Sequence, residues 1–118
     1  MAIIKKRIKK YKVDIRSGRY AENFPAYIHG YDKQDRYVLS CVFFEKEDAV
    51  LPENRNEDKV VYLYFHISKY HIVLDLFRNE SPLKFVYDSD GKECTILTSK
   101  EPVGEGEYVR PTETSIPK

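Results

Sequence analysis

A chain of 118 residues, 42% hydrophobic and 33% charged, holds one core and not two, and its sixteen aromatic residues, ten of them tyrosine, exclude a disordered chain in favour of a soluble, β-leaning globule. The longest unbroken apolar stretch, Val60 to Phe65, is far shorter than the ~20 residues of a membrane-spanning helix, and the first residues lack the apolar run of a secretory signal, so we expect no membrane partner and a cytoplasmic location. The net charge of +1 hides a division: residues 1–19 carry eight basic side chains against Asp14 alone, a local +7, while the remainder carries twelve basic and eighteen acidic residues, a local −6.

The first predicted strand runs from Ile3 to Ile15. Tyr11, Val13 and Ile15 alternate with Lys10, Lys12, Asp14 and Arg16 at the strand period of two, and are expected to pack inward. Upstream the parity changes, since Ile4 and Ile8 are even-numbered, so a continuous strand needs a bulge near Lys9 or Lys10, and otherwise the first residues are a flexible basic arm. The segment SGRYAENFP supplies a turn, after which Ala26–Tyr31 and Arg36–Phe44, joined by DKQD, outline a hairpin. Glu45–Asp58 has no apolar period and reads as a long acidic loop. Lys59–Ile67 (KVVYLYFHI) is β-branched and aromatic on both parities, the pattern of a central strand covered on both faces.

The next segment, SKYHIVLDLFRNESP, predicts the one helix, near residues 68–79. Tyr70, Val73, Leu74 and Phe77 form its apolar stripe, Ser68 its N-cap and Pro82 its stop, while a strand here would align Ile72, Leu74 and Leu76 instead. Leu83–Tyr87 and Glu93–Thr98 then form a second hairpin around Asp88-Ser89-Asp90-Gly91, where Gly91 is expected to supply a positive φ. EPVGEGE is polar, and residues 108–118 have no period and read as a disordered tail after a globular domain of residues 1–107. The fold class expected is α+β, mainly antiparallel β, with about six strands as a twisted sheet or partly open small barrel and the helix over one face or one end.

No P-loop, HExxH or GxSxG motif is present, and VGEGE lacks the strand and helix that make a glycine loop a phosphate site. Cys41 and Cys94 read as buried free thiols rather than a CxxC redox pair or a disulfide. A zinc site from Cys41, His66, His71 and Cys94 has no support in the spacing, and no cofactor is expected. His71 and Asp75, at i and i+4, could orient one another as a catalytic pair, but an exposed helical ion pair that includes Arg78 is the simpler reading. The residues therefore speak for a non-enzymatic protein.

What remains unexplained is KKRIKKYK, six cations in eight residues. Lysines on an edge strand discourage aggregation, yet the cations before residue 20 exceed that need. The leading expectation is a small module for nucleic acid, preferably single-stranded DNA or RNA. In it Lys5, Lys6, Arg7, Lys9, Lys10, Lys12, Arg16 and Arg19 meet about five or six phosphates, and Tyr11 and Tyr20 stack on bases. Against it stands the ordinary half-buried tyrosine of an antiparallel sheet, ring packed and hydroxyl in water. The alternatives are a protein-interaction or self-associating module, whose cations dock an acidic partner or another copy's 45–58 loop, and a small-molecule-binding barrel with His29 or His66 at a cavity.

Overall fold

The computed structural model describes residues 3–18 and 25–98. The predicted first strand is broken at Lys9 into β1 (Ile3–Ile8) and β2 (Lys10–Ile15), and the two halves enter different sheets. The break solves the parity problem: Ile4 and Ile8 before it, and Tyr11 and Val13 after it, all turn toward the interior. Lys9 spends its backbone N–H on the carbonyl of Tyr31 (2.8 Å), so the interruption leaves that donor satisfied. The expected inward packing fails at the end of β2, where Ile15 is 64% exposed, and is incomplete at Tyr11, which is 39% exposed.

Antiparallel β3 (Ala26–Tyr31) and β4 (Tyr37–Phe44) form the predicted hairpin beside β2. The chain then reaches β5 (Arg55–Glu57) and returns through Asp58 and Lys59, both at positive φ (53° and 68°), into β6 (Val60–His66). β6 lies between β4 and β5, parallel to the first and antiparallel to the second, and the sheet order is β2-β3-β4-β6-β5. The central strand is thus β4, with residues 38–43 all buried, and not the Lys59–Ile67 segment, which lies one strand from the edge. The acidic segment is a loop except at β5. Its Glu47 carboxylate accepts hydrogen bonds from the backbone N–H and the hydroxyl of Ser68 (3.2 and 3.1 Å).

That contact removes Ser68 from the capping role expected of it. A turn of 3₁₀ helix over Ile67–Lys69 leads into α1 (Tyr70–Asn79), whose N-cap position is Lys69 and carries no side-chain cap. The predicted stripe holds: Val73 and Phe77 are buried, Tyr70 and Leu74 pack partly against the core, and Ile72 on the other side is 60% exposed. Tyr70 meets Phe43 edge-on at 5.2 Å, and Phe77 meets Tyr11 at 5.8 Å. Gly30 makes this approach feasible, because a Cβ there would lie 3.2 Å from Ile8 Cγ2 and 3.6 Å from Phe77 Cε2.

After α1, β7 (Leu83–Asp88) pairs with both β1 and β8 (Glu93–Thr98), giving the sheet β1-β7-β8. Their turn places the positive φ at Lys92 (58°), not at Gly91, with the Lys92 N–H bonded to the Asp88 carbonyl at 2.8 Å. Ile8, Ile28, Phe43, Phe77, Phe85 and Tyr87 belong to one core cluster that both sheets and the helix enclose. Away from the Lys9 break, Asn54 ties the sheets together. Its carbonyl accepts from the Tyr87 hydroxyl (3.3 Å), its amide donates to the Lys92 carbonyl (3.1 Å), and its side-chain oxygen accepts from the Tyr64 N–H (3.2 Å). Among the described residues the fold is α+β and mostly antiparallel, with eight strands in two sheets of three and five and one helix. No helix among the described residues is long and apolar enough to cross a membrane.

Candidate nucleic-acid interface

Strand alternation divides the N-terminal cations. Lys5 and Arg7 are exposed on β1, opposite Val86 and Lys84 of β7. Lys6 has the parity of Ile4 and Ile8 and is half-buried, opposite Phe85. Lys9 is exposed at the break, and Lys10 and Lys12 are exposed on β2. Arg16 follows β2, its guanidinium 3.5 Å from Asp14 and 4.4 Å from the centre of the Tyr27 ring. Lys10 pairs with Asp35 at 2.7 Å, both side chains well exposed, whereas Lys5, Lys6, Arg7, Lys9 and Lys12 have no carboxylate at ion-pair distance among the described residues. Arg19, Tyr20 and residues 108–118 lie outside the described residues.

Tyr11 faces the helix side of the sheet, away from Lys10 and Lys12. The aromatics beside those lysines are others. Period-two alternation in Tyr27-x-His29-x-Tyr31 and Tyr62-x-Tyr64-x-His66 aims these rings at the outer face, away from α1. Register then builds rows across the sheet. Lys12, His29, Ser40, Tyr62 and Arg55 stand opposite one another in turn across all five strands. Asp14, Tyr27, Val42 and Tyr64 form the next row, and Lys10, Tyr31 and Tyr37 a third.

The rings touch along and between these rows. Tyr27 stacks on His29 at 5.6 Å, His29 meets Tyr37 edge-on at 5.3 Å, and Tyr31 lies 5.7 Å from Tyr37. On the far side the Arg55 guanidinium sits 4.8 Å over Tyr62, donates to the Tyr64 hydroxyl (2.6 Å) and pairs with Glu57 (2.8 Å). A shallow concavity of about 220 Å³ runs between Tyr27, Val42, Phe44, Arg55, Tyr62 and Tyr64. The tyrosine rings of this face are half-buried, packed against one another and against Arg55.

His29 sits in the middle of this face. Its Nδ1 lies 3.1 Å from the Tyr37 hydroxyl and 3.3 Å from the Ser40 hydroxyl, and its Nε2 lies 3.8 Å from Asp14. Burial lowers its pKa below the ordinary value, against the pull of the Asp14 carboxylate, with Lys12 and Arg16 lowering it further. Burial likewise raises the Tyr37 and Tyr64 hydroxyls. The order Asp14, His29, Ser40 resembles a nucleophile with its base, but Ser40 is 1% exposed in the sheet floor and no substrate can reach its hydroxyl. It is a polar network that runs from the half-buried Asp14 to the buried Ser40.

The other weighed groups fall elsewhere. Asp75 bonds to Asn79 (3.4 Å) rather than to His71 or Arg78, and His66 Nδ1 lies 3.2 Å from the Lys46 carbonyl. Both cysteines are free, Cys41 buried and Cys94 half-buried, and burial pushes the Cys94 thiol up to about 12. No group of three metal-ligating side chains occurs among the described residues. In comparisons with known proteins, no family model, curated protein or solved structure matches the chain.

Proposed function

We propose that the protein is a non-enzymatic module that binds single-stranded nucleic acid across the outer face of the five-stranded sheet. Bases stack on Tyr27, Tyr62 and Tyr64, and the phosphates lie against Lys10, Lys12 and Arg16 along β2, with Arg55 at the opposite side. The observation that carries this reading is the row Lys12, His29, Ser40, Tyr62 and Arg55, which puts a cation at each end of an aromatic surface. Single strands suit such a face, because every unpaired base offers a π-surface and stacking needs no particular sequence. A duplex hides those surfaces.

Docking of the cations onto another copy's acidic loop has less support. Within 45–58, Glu47 is engaged by Ser68 and Glu57 by Arg55, which leaves fewer carboxylates to offer. The test is fluorescence anisotropy of a short labelled single-stranded oligonucleotide, with the wild type, Tyr62→Ala and the double variant Lys10→Glu/Lys12→Glu, each checked for folding by circular dichroism. Tyr62→Ala should weaken binding by ~5- to 150-fold, the equivalent of one lost base stack, and the double charge reversal should abolish it. Unchanged affinity in both variants would remove the sheet face from the interaction.

A further inference from the structure

The Lys9 break has a second consequence. A groove of about 240 Å³ opens between it and the end of α1, and Arg7, Lys9, Lys10 and Tyr11 from the strands and Phe77 and Arg78 from the helix are among its lining residues. Glu80 is the one acid in its lining, and it already takes part in an interaction. Lys10 is held by Asp35, whereas Arg7, Lys9 and Arg78 have no carboxylate partner among the described residues. Lys6, Lys33 and the Asp32-paired Arg36 line the adjoining concavity beyond Arg7 and Lys9, so the potential stays positive on that side as well.

We propose that this groove is a second binding site, for the terminal nucleotide of a single strand bearing a phosphomonoester. Three cations without a carboxylate partner among the described residues, gathered around one small concavity, repel one another, and an anion between them relieves that repulsion. A monoester carries about −1.5 to −2 at neutral pH, more than the single charge of an internal phosphodiester, and so answers the three cations better. The exposed part of the Tyr11 ring, braced edge-on by Phe77, gives the terminal base a surface to stack on. Lys10 lines the groove and also heads the Lys10, Tyr31, Tyr37 row, which makes β2 the path from groove to sheet face.

The strand as the source of the nucleotide rests on the proposed function; the groove's affinity for a nucleoside monophosphate does not. The experiment therefore has two arms. In the first, one oligonucleotide sequence is compared by anisotropy as its 5′-phosphate, its 3′-phosphate and its unphosphorylated form. One terminal phosphate should tighten binding about tenfold, and Arg7→Gln/Lys9→Gln should collapse that ratio toward one.

In the second arm, adenosine 5′-monophosphate and adenosine are titrated by calorimetry into wild type, Tyr11→Leu and the Arg7/Lys9 double variant. The monophosphate alone should bind, more weakly in both variants. If no oligonucleotide binds but the monophosphate does so through Arg7 and Lys9, the sheet-face reading fails and the groove stands as a free-nucleotide site. If terminal phosphates change nothing and the monophosphate does not bind, the groove is no such site.

Discussion

At the scale of single residues, His29 carries the sharpest consequence. It is packed between Tyr27 and Tyr37 and has Asp14 and Lys12 on the neighbouring strand, with Arg16 just beyond that strand's end. Because its folded pKa lies below the ordinary 6.5, the unfolded chain takes up this proton more readily than the native protein. The contribution of His29 to stability is therefore complete above about pH 6.5 and is lost as pH falls through the lowered folded value. Urea melts from about pH 7 to about pH 5 should show stability declining for the wild type and declining less for His29→Gln. Parallel decline in the two proteins would mean that His29 titrates alike in the folded and unfolded states.

Elements show where local pattern suffices and where it does not. An irregularity near Lys9 was legible, because two sets of apolar residues on opposite parities cannot face one core without an interruption, but the pattern implies a bulge within one strand and the two halves instead enter different sheets. The helix was legible from its stripe, but its cap was not: Ser68 has the right chemistry, and only a carboxylate distant in sequence, Glu47, decides that its hydroxyl turns elsewhere. The β5–β6 hairpin escaped notice because Asp58-Lys59 holds two positive φ values with no glycine to announce them. Lys92 misled in the same way beside Gly91.

The stripe also sets a graded prediction. Phe77, 7% exposed and in contact with Tyr11, should cost ~3 to 5 kcal/mol when replaced by alanine, and half-buried Leu74 should cost clearly less on the same denaturant scale. Equal losses would contradict the helix orientation.

At the scale of the whole molecule, the basic character of the first residues was plain from the sequence, and the aromatic face was not. Tyrosines on β3, β4 and β6 become neighbours only through register, and the parallel β4–β6 pairing that sets Tyr62 beside Ser40 and Tyr64 beside Val42 is a non-local event. Tyr11, adjacent in sequence to Lys10 and Lys12, lies on the other side of the sheet from them, since neighbours along a strand point to opposite faces. Sequence proximity to charge thus pointed to the wrong ring for the outer face. The alternation in Tyr27-x-His29-x-Tyr31 and Tyr62-x-Tyr64-x-His66 was the signal available, and it needed the pairing of β3 with β4 and of β4 with β6 to acquire meaning.

The central claim is that this face holds the backbone and bases of a single strand, and the most direct measurement is the affinity for unmodified single-stranded DNA and RNA across a salt series. Each phosphate neutralised contributes about −0.7 to the slope of log affinity against log salt, so Lys10, Lys12, Arg16 and Arg55 together predict a slope of about −2 to −3. Binding with that slope, lost in the Lys10→Glu/Lys12→Glu variant, is the predicted result. Absence of binding at the lowest salt would contradict the account and leave the aromatic face as packing alone.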